Sequence, residues 1–316
     1  MSKPFIVEQR EKNNEPFDLY FAGSRNPAAD DWLAANKCPR LFSQLNDRSS
    51  IKAWNEYEVR GKLFVDSGAH TAYTTGKEVD TDDLIEYVNG IDEYVEVFAQ
   101  VDKVPGRFAQ PKTRQDWLEA PEISWKNYLY MRPRVKSPHK LMPVFHQGED
   151  FKWLELMLET KFARQHIPYI GLSPTTDSGV KYKIEFIDKC FKIISKSSNP
   201  HVKTHALGMT SLYVLEMYPF YSADATTWLR NGALGRILTP WGIYYVGPQD
   251  VQPEANIKFM PESARHKIAE YAAGYGFTLD ELRDDYSKRM ILNAMHLQDW
   301  ANNYKYRGAT GRKKLI

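Results

Sequence analysis

The chain has 316 residues, 42% of them apolar, with 42 Lys and Arg against 40 Asp and Glu. A formal charge of +2 excludes a protein that grips nucleic acid through its global field, so any such contact must come from local patches on what reads as one large α/β domain. Its two cysteines, Cys38 and Cys190, lie far apart and outside any CxxC pair, which excludes a disulfide framework and a cysteine-rich zinc site. The first residues, MSKPFIVEQREKNNEPF, are charged throughout, and no segment approaches the ~18 apolar residues that span a bilayer, so a soluble cytoplasmic chain is expected.

In chain order, FDLYFAG (17–23) is a short β-rich run stopped by Gly23, and the turn after it leads into a modest helix over 28–36. In KLFVDSGAHTAY (62–73), Leu63, Phe64 and Val65 form a buried strand that runs directly into Asp66, Ser67 and Gly68. A helix follows from Thr81, with Thr81 as its cap and acidic residues in its first turn. YVEVFAQVD (94–102) repeats the pattern and ends in Asp102. Residues 107–138 are rich in Pro, Arg and Trp and longer than an ordinary connection, which reads as an excursion over a barrel mouth with WKNYLYMRPR helical. KLMPVFHQGED (140–150) is a fourth strand ending in His146, Gln147 and Gly148, and helical spacing follows in DFKWLELMLETKFARQ.

IPYIGLS (167–173) is a fifth strand ending at Gly171 and Leu172, and after a helix over 182–196 HVKTHALG (201–208) is a sixth. FYSADA carries the seventh, with Asp224 at its end, and RILTPWGIYYVG (236–247) supplies the eighth. Eight strands alternating with helices, with polar or glycine residues at their C-terminal ends, describe a (β/α)8 TIM barrel whose active site gathers at that face. The barrel takes residues 1–250, two helices form a C-terminal extension over 251–304, and 305–316 is a basic tail with five Lys or Arg and no acid.

FYSADATTWLR (220–230) sets Asp224 where an apolar strand gives way to a polar turn. A lone Asp there commonly caps the turn; it can equally serve as a nucleophile, and Thr226, Thr227, Trp228 and Arg230 are side chains that hold an anionic, stackable polymer. Asp66, Asp102 and Asp224 would all meet at one mouth. Two opposed carboxylates, one ionised and one with a raised pKa, are the equipment for glycosyl transfer with retention.

These residues carry a resemblance to the tRNA-guanine transglycosylase superfamily, which exchanges a purine base for a 7-deazaguanine. DSGAH (66–70) resembles that family's DSGGF element, FAQVD (98–102) its second Asp-bearing strand, and VFHQG (144–148) its VQG motif. IGLS (170–173) and HALG (205–208) are similar to its glycine strand ends, and ADATTWLRNG (223–232) to the segment of its nucleophile, all in the family's order across residues 60–240. The resemblance implies that Asp224 attacks C1′ of the target nucleoside and that Asp66 is the general acid/base. It also implies that Asp102 binds the N1 and N2 edge of the purine and that Gln147 with the backbone at Gly171 and Leu172 binds the O6 side. Ser67 and Gly68 are close neighbours of the base, and His70 is a pocket wall.

The chain departs from the family in two respects. Ala69 and His70 replace the Gly-Phe after DSG, leaving Tyr73 as a substitute stacking ring, and the zinc-binding cysteine cluster of the family's tRNA enzymes has no counterpart. A zinc-less member resembles the phage and bacterial enzymes that act on DNA, which would put the chain in the host cytoplasm if phage-encoded. The implied partners are DNA, with tRNA as the alternative, and a 7-deazaguanine base such as preQ0, with no metal, ATP or redox cofactor.

Trp117, Trp125 and Trp228 are candidate wedges for unstacking the target guanosine. Arg107, Lys112, Arg114, Arg230 and Arg236, with Lys313 and Lys314 of the tail, are candidate phosphate contacts. Each of these tryptophans can instead be core packing, and the tail merely a solubilising end. His146 and His205 read as hydrogen-bonded barrel residues rather than metal ligands. Rival classes are a non-catalytic nucleic-acid-binding subunit on the same barrel and a barrel glycosidase acting on free sugars.

Overall fold

A computed structural model describes residues 3–23, 25–106, 108–174, 179–209 and 211–308. In chain order the strands are β1 (Asp18–Ala22), β2 (Arg40–Ser43), β3 (Leu63–Asp66), β4 (Val95–Ala99), β5 (Leu141–Met142) and β6 (Val144–His146). A small antiparallel hairpin, β7 (Lys161–Phe162) and β8 (Gln165–His166), precedes β9 (Tyr169–Ser173), β10 (Lys203–Ala206) and β11 (Ser222–Ala225). A second hairpin pairs β12 (Arg236–Thr239) with β13 (Gly242–Tyr245).

Nine of these segments pair in parallel in the order β5-β4-β3-β2-β1-β11-β10-β9-β6. The two end segments are halves of one run divided by Pro143, which has no N–H to give a ladder but whose carbonyl accepts from the Gly171 amide at 2.8 Å. Because β5 pairs with β4 and β6 with β9, the run Leu141–His146 bridges both ends and the sheet curls into a barrel. Among the described residues the barrel, counted by chain run, has the eight strands expected, but not the same eight. Residues 236–245 form the hairpin β12–β13, because Pro240 and Trp241 reverse the chain in a two-residue turn closed by the pair Thr239–Gly242, with Gly242 at φ +143°. The eighth barrel strand is β2, four residues beginning with the buried Arg40, too short for a periodic signal. Asp66 therefore ends the third barrel strand and Asp102 follows the fourth, while Asp224 lies on the last, paired against Tyr20 of β1.

Alternation along the strands separates two apolar regions. Tyr20, Leu41, Phe64, Val97, Met142, Val144 and Tyr169 fill the barrel interior. Leu19, Phe21, Phe42, Val65, Phe98, Phe145, Ile170 and Leu172 face outward, under the helices. Local chemistry starts those helices. Asn26 accepts from Ala29 N at 3.0 Å ahead of Pro27–Ala35, and Asp80, rather than Thr81, caps Thr81–Gly90 by accepting from Asp82 N and Asp83 N. Residues 108–138, within the stretch expected as an excursion, are mostly the helix Arg114–Met131, opened by a Thr113–Asp116 capping box, which buries Trp125, Tyr128 and Met131 against the sheet.

At the opposite end of the barrel the helix Phe5–Asn13 brings Arg10 to the carbonyls of Phe220 and Tyr221 at 3.4 and 2.6 Å. Among the described residues the C-terminal region, expected as two helices, holds three α-helices, Glu262–Gly274, Leu279–Asp284 and Tyr286–Asn302, and the last packs against β1, β12 and the helices Pro27–Ala35 and Thr227–Ala233. Cys38 and Cys190 are buried free thiols. Among the described residues no helix is long and apolar enough to cross a membrane.

Candidate active site

Asp66, His146 and Asp224 stand at the C-terminal ends of β3, β6 and β11, each two residues beyond an inward-facing side chain, so strand alternation turns all three into the barrel mouth. Asp102 follows β4 by three residues. Asp66 retains some accessible surface yet is hemmed in by the strand ends, and its Oδ2 accepts from the Gly68 amide at 2.9 Å. Gly68 has φ +87°, and a Cβ there would meet Leu45 Cβ at 2.5 Å and Ser43 Oγ at 2.8 Å, so the turn that delivers this N–H requires glycine. Burial first, then the negative charges of Asp102 and Asp224, push the Asp66 carboxyl up from 3.8 to about 7, against the pull of the Gly68 and Ser67 hydrogen bonds.

Asp102 is held on both oxygens. Ser67 Oγ donates to Oδ1 at 3.3 Å, and His146 Nε2 meets Oδ2 at 2.9 Å. The other ring nitrogen of His146 lies 3.2 Å from Glu149, a buried carboxylate that also accepts from the His146 amide at 3.1 Å. Burial opposes a charge on this imidazole, but hydrogen bonds to Asp102 and Glu149 outweigh it and raise the ring to about 10. His146 is then an imidazolium bridging two carboxylates, which limits the negative charge that Asp66 must face.

Asp224 is 7% exposed. Its Oδ1 accepts from the Gly208 amide at 2.7 Å and lies 3.2 Å from His205 Nε2, while no hydrogen bond reaches its Oδ2 among the described residues. His205 is fully buried among Tyr20, Phe64 and Tyr169.

The other expected site residues divide between the mouth and the framework. His70 is exposed in the first turn of the helix Ala69–Thr75. Gln147 reaches the carbonyl of Tyr182 at 3.2 Å. Gly171 donates its amide to Pro143 inside the barrel ladder, so that N–H is committed to the sheet rather than to a purine oxygen, and the Leu172 carbonyl accepts from Leu207. Leu172 itself points into the outer core, and Gly171 is small because a Cβ would touch Leu207, Met142 and Val144 within 3.2 Å.

Trp228, expected at the nucleic-acid contact, is completely buried and donates to the Ala22 carbonyl at 3.0 Å; Trp125 stacks on Tyr128 in the core. Neither can act as a wedge, because a core indole cannot leave without opening a cavity. Arg230 is exposed, and Arg236 is tied to Gln252 at 3.0 Å. Lys112 and Arg114 are exposed, with Lys112 Nζ 5.0 Å from the Trp117 ring and 5.6 Å from that of Tyr73. Trp117 does sit at the mouth: Gly148, at φ +106°, leaves no room for a Cβ beside its ring. Arg107, Lys313 and Lys314 lie outside the described residues. Arg307, at the start of the tail, pairs with Glu216 at 2.6 Å.

The sequence reading missed Glu149, Tyr169 and Ser222. Ser222 was findable, since it precedes Asp224 by two positions on the same strand face. A separate cleft of about 570 Å³, on the outer layer, is lined by Arg48, Ile51, Lys52, Tyr87 and Tyr94 and by none of the three carboxylates. No protein-family model matches the chain, and no curated protein sequence matches it.

Proposed function

We propose that this chain is a DNA guanine transglycosylase that replaces guanine with a 7-deazaguanine base through a covalent Asp224 intermediate. The observation that carries the reading is the contrast between two carboxylates at one barrel mouth. Asp224 receives two hydrogen bonds on Oδ1 and offers Oδ2, while Asp66 has a proton affinity raised to about 7 and can both give and take a proton near neutral pH. Asp224 Oδ2 would attack C1′ as the bond to guanine N9 breaks, and the departing base would leave with the proton of Asp66. The Asp66 carboxylate would then take the N9 proton of the incoming base, whose nitrogen displaces Asp224, and two inversions retain the anomeric configuration. Asp102, held by Ser67 and His146, is suited to accept from the purine N1 and N2 edge. DNA is preferred to tRNA because the chain's two distant cysteines cannot make the zinc site that the related tRNA enzymes carry.

The test incubates the protein with guanine-containing DNA or with tRNA in the presence of preQ0. Denaturing gels read the covalent adduct, and nucleoside mass spectrometry reads the inserted base. Wild type is expected to form an adduct with DNA and Asp224→Ala none. An adduct persisting in Asp224→Ala would overturn the nucleophile, and insertion into tRNA alone would overturn the choice of polymer.

A further inference from the structure

A line of polar side chains runs through the apolar barrel interior to Asp224. The Tyr169 hydroxyl, on β9, is hydrogen-bonded to Ser222 Oγ on β11; Ser222 Oγ lies 2.5 Å from His205 Nδ1 on β10; and His205 Nε2 lies 3.2 Å from Asp224 Oδ1. All but the carboxylate are embedded among Tyr20, Phe64 and the neighbouring strands, and Ser222 and His205 are fully buried. Polar groups so placed are costly unless every donor finds an acceptor, and that requirement orders the chain.

An ionised carboxylate only accepts, so the proton on the His205 ring belongs on Nε2. Nδ1 then accepts from Ser222, whose oxygen in turn accepts from Tyr169. The reverse order would leave the phenol proton without an acceptor, since Ser222 is the one hydrogen-bond partner of the Tyr169 hydroxyl among the described residues. Burial pushes the Tyr169 phenol well above its ordinary value, so it keeps the proton it must donate. Every bond in the line then points toward Asp224, and with the Gly208 amide both donors fall on Oδ1.

We propose that His205 is a positioning residue, held in its Nε2–H tautomer by the Asp224 carboxylate and fixed in orientation by Ser222 and Tyr169, that clamps Asp224 through Oδ1 and leaves Oδ2 as the attacking oxygen. The tautomer lock is a property of the fold alone; the role of Oδ2 rests on the reading of Asp224 as nucleophile. Ser222 matters through ring orientation: the carboxylate keeps the proton on Nε2, and without the hydroxyl that donates to Nδ1 the ring loses the bond that fixes its angle toward Oδ1.

The tautomer is read directly by ¹⁵N NMR of histidine-labelled protein, with the His205 signals assigned by their loss in His205→Gln. Wild type should show an Nε2–H ring with a hydrogen-bonded Nδ1, and Ser222→Ala should keep the Nε2–H tautomer while its Nδ1 signal moves to that of an unbonded ring nitrogen. An Nδ1–H or doubly protonated ring in wild type would overturn the lock whether or not the protein is a transglycosylase. Single-turnover adduct formation with DNA tests the role. His205→Phe should slow it on the order of 10²-fold with KM changed less than threefold, because misorienting a reacting group costs rate rather than binding.

His205→Gln, which keeps an N–H toward Asp224, should recover much of that rate. Adduct formation by His205→Phe within threefold of wild type would overturn the positioning role, as would equal losses in the Gln and Phe variants. Should His205→Phe not fold, Ser222→Ala carries the kinetic arm, with a tenfold loss expected and an unchanged rate overturning the proposal. If wild type forms no adduct with any nucleic acid, the transglycosylase reading and the role of Oδ2 fall together, and the NMR arm still decides the lock.

Discussion

Replacing Asp66 by Asn removes an ionisation that the fold makes unfavourable, so the variant should be more stable than wild type at alkaline pH while losing exchange. Burial and the charges of Asp102 and Asp224 raise the Asp66 carboxyl from 3.8 to about 7. The folded state therefore holds this proton more tightly than the unfolded chain. With a folded pKa above the unfolded one, the stability that Asp66 contributes is full below pH 4 and is lost as pH rises to about 7. At about 1.36 kcal/mol per tenfold change in proton affinity, the loss is at most about 4 kcal/mol, an upper limit because the side chain keeps some contact with solvent.

Asn has nearly the same size and still offers an oxygen to the Gly68 amide. His146, raised to about 10, contributes its own stability below 6.5 and loses it as pH rises toward 10, but it is present in both proteins and largely cancels in the difference. Urea unfolding at pH 4.5, 6 and 8 should show the Asn variant gaining on wild type as pH rises, with exchange reduced on the order of 10²-fold or more at every pH. A stability difference that stays flat from pH 4.5 to 8 would refute the electrostatic account of Asp66, and a mild loss of exchange would move the acid/base role to another group.

Trp228→Ala should cost ~3–5 kcal/mol of stability, read by urea unfolding, because it empties a fully buried indole site and orphans the Ala22 carbonyl. At a temperature where the variant is folded its affinity for nucleic acid should match wild type; weaker binding without destabilisation would put Trp228 back at the interface. Lys112→Ala combined with Arg114→Ala removes two exposed cations, of which Lys112 lies beside the Trp117 ring. If both touch phosphates, the log-log salt dependence of duplex DNA binding becomes shallower by about 0.9 for each, and an unchanged slope would exclude them from the interface.

What the chain alone determined was the local grammar: apolar runs ending in polar residues at Asp66, Asp102, His146 and Asp224, with glycines where the chain turns beyond several of them. That grammar was enough to expect a barrel and to direct its polar ends to one face, because strand alternation and crossover helices are properties of short stretches. It could not identify β2, whose four residues belong to the barrel through pairing with β1 and β3 and through Arg40, whose guanidinium meets Asp30 and the Phe21 and Gly23 carbonyls. Nor could it distinguish a barrel strand from the hairpin at 236–245, since both read as apolar runs until a partner strand is present.

The same limit applies to the site. Trp228 and Arg230 are two residues apart in the sequence, yet one is core and the other faces solvent, and only the packing of the helix Thr227–Ala233 decides which. The raised affinity of Asp66 for its proton, the bridging of Asp102 and Glu149 by His146, and the line from Tyr169 to Asp224 join residues from different strands. Their energies depend on burial and on distances across the barrel, and neither exists until the sheet has closed.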